Sequence, residues 1–579
     1  MAFDGIVTKC VCNELNNIVG YKIDKVYEPD KNTIILGLYG NGKNVNLLSC
    51  ISASNCRLHL SSHSKANPSS APNFCMLLRK HLIGFKIKKI YTRDLERIVF
   101  IDVENEYKTI SKTLIVELMG KHSNIILLNS NGIIIDSMRH TNSEENSTRD
   151  VYPSAKYVFP ESSKFSFLET KSFEDFYSKI EPKLSDYIVM QAESIDNLDI
   201  SNFKLDRIIS DAFNGISSSF ISHLIKELKI SAISKVALEN IYNKINDILR
   251  FDNLDIFIDE NKKDYYLSTC KNIQKIEYNI NYKLDEFYYK KETSQLFKDY
   301  KKSILNLILE TLKKYEKRLV NIDNKISECN NKDIYRLYGE IITSNLYRIP
   351  NKNTSQIELE NYYNNNELIS IPLDSKFSPS HNAKLYFKKY TKLKNALEIV
   401  NKQKQETIQD INYIESVVYE LNTCTTVEDI DAIYNEISEN SIFSYKIKTK
   451  KSKNRRAKPL TKNKLTNFNP LKYVIDGYTI LVGRNNMEND YLTFKYAKKT
   501  DIWFHTKDTH GSHVILKTEQ NENVPEEIVF EVAKLAVKHS KAKNSSHTPV
   551  DYCKISFVKK PSGSKPGYVI YSNNKTVYV

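Results

Sequence analysis

Residues 501–516, DIWFHTKDTHGSHVIL, carry the side chains with the widest chemical range in the sequence. They include the only tryptophan, Trp503, and three of the twelve histidines, His505, His510 and His513. Imidazole rings can bind zinc, transfer protons or stack on nucleobases. This segment is therefore a candidate metal site, catalytic site or RNA-binding surface.

The spacing of the three histidines argues against a metal site. His510 and His513 flank Gly511 across a turn, whereas zinc requires about three or four convergent N, S or O ligands. The nine cysteines are scattered without C-x2-C spacing, and the sequence has no G-x-x-x-x-G-K-[ST] phosphate loop. We therefore predict no metal, no cofactor and no catalytic residue.

The mixture of aromatic rings and cations fits an RNA-binding surface better. Rings stack on unpaired bases and cations contact phosphates, and the turn GRNN can present a guanidinium and amides outward. The candidates from this reasoning are Arg484, Asn485, Trp503, His505, Lys507 and His513. Because strand alternation turns either Trp503 or Phe504 inward, Trp503 either stacks on RNA or anchors the core.

Charge and hydropathy narrow the class of protein. Among 579 residues, 84 Lys and Arg outnumber 70 Asp and Glu, which gives a net charge of +14 and favours polyanionic partners. No run of about 18 apolar residues indicates a membrane span. The amino-terminal MAFDGIVTKCVCNELNN does not resemble a signal peptide, so we expect a cytoplasmic protein.

The elements that must position these residues differ along the chain. Short β-rich runs such as TIILGLYG and RIVFIDV predict strands in the first 170 residues, with a hairpin turn at Asn131-Gly132 and a helix in NFCMLLRKHLIG. Residues 171–285 predict short helices. Among them, LDRIISDAFNGISSSFISHLIKEL is typical of a helix-hairpin-helix, whose turn either contacts phosphate or only joins two packed helices.

Two segments show a sustained coiled-coil spacing. The first runs from Leu305 to Ile326 and the second from Leu393 to Leu421, where Lys404 and Thr407 interrupt the apolar seam. We interpret them as the arms of one antiparallel hairpin with a small tip domain. Two separately packed helices, or a dimerising coil, are the alternatives.

The carboxyl-terminal part is predicted to be a basic linker followed by a compact α/β unit. Residues 446–464, KIKTKKSKNRRAKPLTKNK, carry ten Lys or Arg and no acid, which suits a flexible electrostatic tether. In residues 465–579, strands are predicted in YTILVG, YLTFKYA, DIWFHT and HVILK, and a helix in PEEIVFEVAKLAVKHSKA.

Six strings along the chain form one further pattern: APNFCMLLRKHLIG, ELMGKHSNIILLN, RLYGEIITSNLYRI, SPSHNAKLYFKKY, VGRNNMENDYLTFKYAKKTDIWFHTKDTHGSHVIL and KKPSGSKPGYVIYSNNKTVYV. They resemble motifs of the NFACT family, which includes the bacterial RqcH proteins and the eukaryotic nuclear export mediator factor, and they follow the order of that family. The resemblance implies a multidomain α+β protein with five segments: a β-rich domain similar to formamidopyrimidine-DNA glycosylase (1–170), a helix-hairpin-helix domain (171–285), an antiparallel coiled coil with a middle domain (286–445, tip 335–390), the linker (446–464) and an α/β RNA-binding domain (465–579).

The resemblance also implies a function without catalysis. Family members bind large (50S) ribosomal subunits, through rRNA, that still hold peptidyl-tRNA. They recruit alanyl-tRNA for mRNA-independent alanine tailing, which marks the nascent chain for degradation, and a further quality-control factor such as RqcP is an expected partner. The ribosomal subunit would perform peptide transfer. A fibronectin-binding adhesin, the older label of relatives, is the alternative, and a base glycosylase is disfavoured because the chain begins Met1-Ala2-Phe3 without the nucleophilic proline.

One family motif, an Asp-Arg pair associated with tRNA engagement, falls on Glu96-Arg97 in the string DLERIVF. Glutamate keeps the charge and adds a methylene, and Asp94 is the alternative acid. The pair either binds tRNA or forms a surface ion pair. Other motifs of the family provide four weaker candidates for RNA contact: Arg79, Lys80, His122 and Asn124.

Overall fold

The computed structural model describes residues 3–142, 149–191, 198–199, 204–252, 254–259, 264–269, 279–349, 355–443, 468–518 and 524–579. The chain forms two compact units, Met1–Ser294 and Gln295–Val579. The basic linker predicted at 446–464 lies outside the described residues. Within the described part, every helix is too short or too polar to span a membrane.

The first unit is built on a nine-stranded antiparallel sheet with the strand order β4-β3-β2-β1-β5-β6-β7-β8-β9. The strands are β1 (Lys22–Asp30), β2 (Thr33–Gly40), β3 (Lys43–Cys50), β4 (Arg57–Ser61), β5 (Lys86–Thr92), β6 (Ile98–Glu104), β7 (Ser111–Glu117), β8 (Asn124–Leu128) and β9 (Ile134–Ser137). The predicted strands of this region are confirmed. So is the Asn131-Gly132 turn, where Gly132 has φ +73°.

Two helices pack on this sheet. Helix α1 (Gly5–Leu15) was not predicted from the sequence; its amino end is capped by Asp4, whose carboxylate accepts a hydrogen bond from the Val7 N–H at 3.0 Å. Most of its side chains are buried in the main core of the unit. Helix α2 (Asn73–Leu82) was predicted, and Gly84 follows it with φ +90°.

The region after the sheet is mainly helical but contains strands that the sequence analysis missed. Its helices are α3 (Phe173–Gln191), α4 (Leu205–Ala212), α5 (Ser218–Glu227) and α6 (Lys235–Leu249). Its strands are β10 (Leu198–Asp199), β11 (Ala232–Ile233), β12 (Leu254–Asp259) and β13 (Asp264–Thr269). The β12–β13 hairpin corrects the prediction of helices alone. Its two strands alternate buried with partly exposed residues, which is a strand period.

The α4–α5 hairpin turn packs against the loop between β5 and β6 and against the start of α1. The Gly5 N–H donates to the Gly215 carbonyl at 2.8 Å. A Cβ atom on Gly5 would lie 1.7 Å from the Leu95 carbonyl oxygen, and one on Gly215 would lie 2.0 Å from the same atom. Three backbone segments therefore meet at a distance that only glycine permits on two of them.

The second unit contains the greater part of α7 (Asn279–Asn330) together with α9 (Pro379–Thr423), and these two helices pair in antiparallel orientation. Lys301 donates to the Asn422 carbonyl at 2.8 Å, and Lys404 pairs with Asp323 at 2.8 Å, so the register runs in opposite directions on the two helices. The pairing buries a common apolar cluster that includes Ile308 and Ile414. Between the arms lie α8 (Lys332–Ser344) and the hairpin of β14 (Gln356–Asn361) and β15 (Glu367–Pro372), and α10 (Val427–Glu439) follows them.

The carboxyl-terminal part of this unit is a six-stranded antiparallel sheet, in the order β16-β17-β19-β18-β20-β23, packed against the predicted helix Glu526–Lys538. The strands are β16 (Leu471–Ile475), β17 (Tyr478–Val482), β18 (Ile502–Thr506), β19 (Val514–Leu516), β20 (Pro549–Lys554) and β23 (Lys575–Tyr578), with β21 (Val558–Lys559) and β22 (Ile570–Tyr571) pairing apart. The predicted strand YLTFKYA is wrong. Tyr491 ends a short helix that continues as a π-helix over Leu492–Tyr496, and Asn485 starts it by accepting from the Glu488 N–H at 2.9 Å.

We expect the close approach of Gly5 and Gly215 to the Leu95 carbonyl, here called the glycine junction, to make a large contribution to the stability of the first unit. Gly132 and Gly215 share φ +73°, but a Cβ atom at Gly132 would meet nothing within 4 Å. Gly132→Ala should therefore cost about 1 kcal/mol, from left-handed strain alone. Gly215→Ala should cost about 3 kcal/mol or more, because steric overlap with Leu95 adds to the strain.

Calorimetric unfolding of the two full-length variants would measure this difference. A clearly lower midpoint for Gly215→Ala than for Gly132→Ala is the expected result. Equal midpoints would show that the backbone around Leu95 relaxes and that the junction is not tight.

Candidate nucleic-acid interface

Glu96 and Arg97 lie in the loop that joins β5 to β6, directly before β6 begins. The loop is held by two local hydrogen bonds: the Glu96 N–H donates to the Arg93 carbonyl at 2.9 Å, and the Thr92 hydroxyl donates to the Glu96 carbonyl at 2.7 Å. Asp94, the alternative acid, is exposed and has φ +45°. The backbone of the loop is thus held independently of the Glu96 and Arg97 side chains.

Two adjoining cavities open beside this loop, with volumes of about 370 Å³ and 410 Å³. Glu96 lines both, Arg97 lines the first and Asp94 the second. The facing wall comes from the α4–α5 hairpin turn at Asn214 and from the segment around Lys164. The structure therefore brings the predicted acidic and basic residues together at a concave surface formed with the helix-hairpin-helix.

The Glu96 carboxylate is held by the hairpin turn rather than by its neighbour in sequence. Its Oε1 accepts a hydrogen bond from the Asn214 amide, and none of the described residues donates to its Oε2. Burial raises the pKa of Glu96; the Asn214 hydrogen bond and the Arg97 charge oppose that rise, and Asp94 adds to it. Since Glu96 lines both cavities, its second carboxylate oxygen is left for a ligand there.

Arg97 is half-buried, and within the described part of the chain its guanidinium has no hydrogen-bonding partner and no carboxylate oxygen within 4.0 Å, although its charge acts on Asp4 and Glu96. The surface ion pair considered from the sequence is not formed. Asp4, on the same wall, is buried and is committed to Val7 and to the Ser217 hydroxyl, which donates to it at 2.7 Å. Burial raises the pKa of Asp4, partly offset by these hydrogen bonds and by Arg97.

This arrangement provides the chemical groups that nucleotide recognition uses. An unpaired guanidinium binds phosphate oxygens or stacks on a base, and a carboxylate oxygen accepts from ribose hydroxyls or from base amino groups. The turn of the helix-hairpin-helix, for which the sequence left phosphate contact and simple helix packing as alternatives, packs on Leu95 and lines the same cavity. The site is therefore composite, built from the sheet domain and the helical hairpin of one unit.

The other candidates of the first unit are placed differently. Lys80 and His122 are exposed, and Arg79 is partly exposed, with its Nε donating to the Val26 carbonyl at 2.9 Å. Asn124 is buried; its amide donates to the Arg139 carbonyl at 2.7 Å and accepts from the Arg139 N–H at 3.0 Å. Asn124 therefore joins the start of β8 to the segment that follows β9, and its side chain is not presented to RNA.

The turn GRNN in the second unit does not present its side chains outward as predicted. Arg484 donates to Asp429 of α10 at 2.8 Å and to Glu488 at 2.7 Å, and it is largely buried by these contacts. Asn485 is 4% exposed and caps the short helix that follows. The acids opposite Arg484 are the physical reason for this correction, since a paired guanidinium is not free to bind phosphate.

Trp503 anchors a core cluster, which settles the alternative left open by the sequence. Its side chain is 0% exposed and contacts the rings of His505 and His513 at centroid distances of 5.7 and 5.4 Å. His513 is also buried, hydrogen-bonded to the Thr493 hydroxyl at 2.8 Å, and burial lowers its pKa to about 3. Of the four candidates between positions 503 and 513, Lys507 is exposed, His505 is partly exposed, and Trp503 and His513 are buried.

Three residues that complete the cavity wall were not predicted from the sequence. Asn214, Ser217 and Asp4 carry the hydrogen bonds that shape the site. Asn214 and Ser217 flank Gly215 in the hairpin turn, and Asp4 precedes an apolar helix in the pattern of a cap. The turn and the cap could each be recognised from the local sequence. Nothing in the local sequence indicates that the hairpin turn contacts Asp4 and Glu96.

Comparison with known proteins gives a consistent result over the whole chain. A family model described as NFACT N-terminal and middle domains matches residues 4–456, and one described as NFACT protein RNA binding domain matches residues 467–573. The chain is 32% identical over 593 residues to "Rqc2 homolog RqcH" of Bacillus subtilis (strain 168), with 100% of this chain and 98% of that protein covered. A protein of the same name from Streptococcus suis (strain 05ZYH33) is 32% identical over 596 residues, with the same coverage.

Among solved structures, the C-terminal part of the fibronectin/fibrinogen-binding protein from Streptococcus suis aligns with a TM-score of 0.37 and 28% identity. The alignment covers 49% of this chain and 94% of that one.

We expect Arg484 to act in stability and not in RNA binding. A double-mutant cycle of Arg484→Ala and Asp429→Ala should give a coupling of about 1–2 kcal/mol, because both side chains are largely buried and joined by a charged hydrogen bond. The exposed pair Glu531 and Lys534, at 2.6 Å, is the control and should couple by about 0.5 kcal/mol or less.

The same variants separate the two roles when RNA affinity is measured alongside unfolding. Arg484→Ala should leave RNA affinity within about twofold of the unaltered protein, since one phosphate contact would change it by more. A large loss of affinity with unchanged stability would restore Arg484 as an RNA contact.

Proposed function

The chain belongs to the NFACT family, and we propose that within it the protein is a ribosome-associated quality-control factor acting in the cytoplasm. It binds large (50S) ribosomal subunits that still carry peptidyl-tRNA. It recruits alanyl-tRNA so that the nascent chain receives a C-terminal alanine tail without mRNA, and the tail marks that chain for degradation. The observation that carries the proposal is the similarity, over 100% of this chain, to proteins named Rqc2 homolog RqcH.

In this proposal the cavity beside Glu96 and Arg97 is a tRNA contact. The support is its chemistry: an unpaired guanidinium and a carboxylate with one available oxygen, side by side at a concave surface. Such a pair can bind phosphate and a base edge or ribose hydroxyl of the same nucleotide. Glu96, and not the exposed Asp94, is the acid assigned to this contact, because only Glu96 is positioned by the opposite wall.

The protein is proposed to bind and position substrates without catalysing peptide transfer. Peptide bond formation is assigned to the ribosomal subunit, which brings its own catalytic centre. The protein would then contribute by holding alanyl-tRNA at that centre in the right orientation, which offsets the entropy lost when the two are brought together. A further quality-control factor of the RqcP type would be a partner in the same assembly.

A direct test is cosedimentation of the purified full-length protein with large subunits that carry peptidyl-tRNA. We expect binding to these subunits in preference to empty ones. Absence of binding would overturn the proposal, and binding to fibronectin by a protein exposed on intact cells would favour the adhesin alternative.

Substitution of the site should separate tRNA recruitment from subunit binding. Glu96→Gln together with Arg97→Ala should abolish alanine tailing in a reconstituted reaction and weaken tRNA affinity at least about tenfold, or about 1.4 kcal/mol. Subunit binding should persist, because the two substitutions leave the rest of the protein surface unchanged.

The neighbouring exposed acid and base on β1, changed as Asp24→Asn with Lys25→Ala, serve as a matched control. This control pair should retain tailing. Intact tailing in the Glu96 and Arg97 variant would remove this site from the mechanism, whatever the result for subunit binding.

A further inference from the structure

We propose that Asn214 is a positioning residue, which holds the Glu96 carboxylate in one orientation for a bound nucleotide. This inference rests on the proposed function of the cavity as a tRNA contact. It goes beyond that function by giving the helical hairpin a part in tRNA recognition. The turn of the hairpin lines the cavity with uncharged residues only.

The geometry behind the proposal is a contact between two distant parts of the sequence. The Asn214 amide donates to Glu96 Oε1 across the cavity wall, and 118 positions separate the two residues. The Asn214 backbone is itself fixed, because its N–H donates to the Phe165 carbonyl at 2.9 Å. The next residue, Gly215, accepts from the Gly5 N–H at 2.8 Å. The amide donor thus stands on a rigid turn.

One hydrogen bond of this kind selects the orientation of a carboxylate. With Oε1 occupied by Asn214, the second oxygen has no donor among the described residues and is available to a ligand in the cavities that Glu96 lines. Without the amide, the side chain regains rotamer freedom, which a ligand would have to remove on binding. Asn214 therefore contributes to affinity without needing to touch the tRNA.

The same hydrogen bond favours the charged carboxylate against partial burial. Burial raises the pKa of Glu96, while the Asn214 amide and Arg97 lower it. The titratable and charged groups that face Glu96 across the two cavities are Asp94, Arg97, Asp4, Glu161, Lys164 and Glu169. Among the causes of the shift, the Asn214 hydrogen bond is the largest that lowers the pKa.

The sign of the pH effect follows from the role of the carboxylate. If the charged form binds tRNA, affinity is present above the pKa of Glu96 and is lost as pH falls through it. Removal of the amide raises this pKa further, so the loss should begin at a higher pH. A general destabilisation of the fold would lower affinity without moving that midpoint.

The test measures affinity of the full-length protein for labelled total bacterial tRNA as a function of pH. Asn214→Ala and Asn214→Leu both remove the donor without adding charge, and Leu keeps a similar volume. Each should weaken binding at neutral pH by about five- to tenfold and move the midpoint of the acid loss upward by about half a pH unit or more. Asn243→Ala on α6, an exposed asparagine outside the cavity, is the matched control and should change neither.

Repeating the measurement in a Glu96→Ala background distinguishes this inference from the proposed function, because alanine lacks the oxygen that accepts from Asn214. There the Asn214 variants should change affinity by less than about twofold, because the group they act through is gone. If Glu96→Ala weakens binding but the Asn214 variants keep normal affinity and midpoint, the positioning role is overturned and the tRNA site stands. If Glu96→Ala itself has no effect on tRNA binding, the tRNA contact at Glu96 and the positioning role fall together.

Discussion

The approach of three backbone segments around the Leu95 carbonyl is the constraint on which the candidate site depends. Gly5 at the start of α1 and Gly215 in the hairpin turn both lie where a Cβ atom would overlap that oxygen. Their closeness brings Asn214 within hydrogen-bonding reach of Glu96 and Ser217 within reach of Asp4. Without it the sheet domain and the helical hairpin would present separate surfaces, and the two cavities would have no second wall.

Elements with a strong local period could be predicted from the sequence, and those defined by distant partners could not. The strands of the first sheet and the two long helices follow from apolar periodicity. The segment Leu492–Tyr496 has the apolar content of a strand but continues a capped helix, because Asn485 and Glu488 commit the preceding residues. Glu96 and Arg97 entered through a family resemblance, whereas Asn214 could be assigned only once the fold placed it opposite them.

The carboxyl-terminal domain shows how residue type alone misleads about RNA contacts. Arg484, Trp503 and His513 are suited to nucleic acid by chemistry, yet the fold uses the first to join the domain to α10 and the others to fill its core. Burial of an arginine is tolerated because acids on both sides satisfy it. The cations that stay exposed, Lys507 among them, are the better candidates for RNA in this domain.

The polar interruptions in the second coiled-coil arm have a consequence for the evolution of the chain. Lys404 meets Asp323 of the opposite arm at 2.8 Å, and Thr407 satisfies its hydroxyl on its own helix, so both fit one register. A slip by one residue would turn Asp323 away from Lys404, because successive residues of an α-helix point in directions about 100° apart. The pairing therefore fixes the lengths of the two helices relative to each other. An insertion in one arm is tolerated only with an equal insertion in the other.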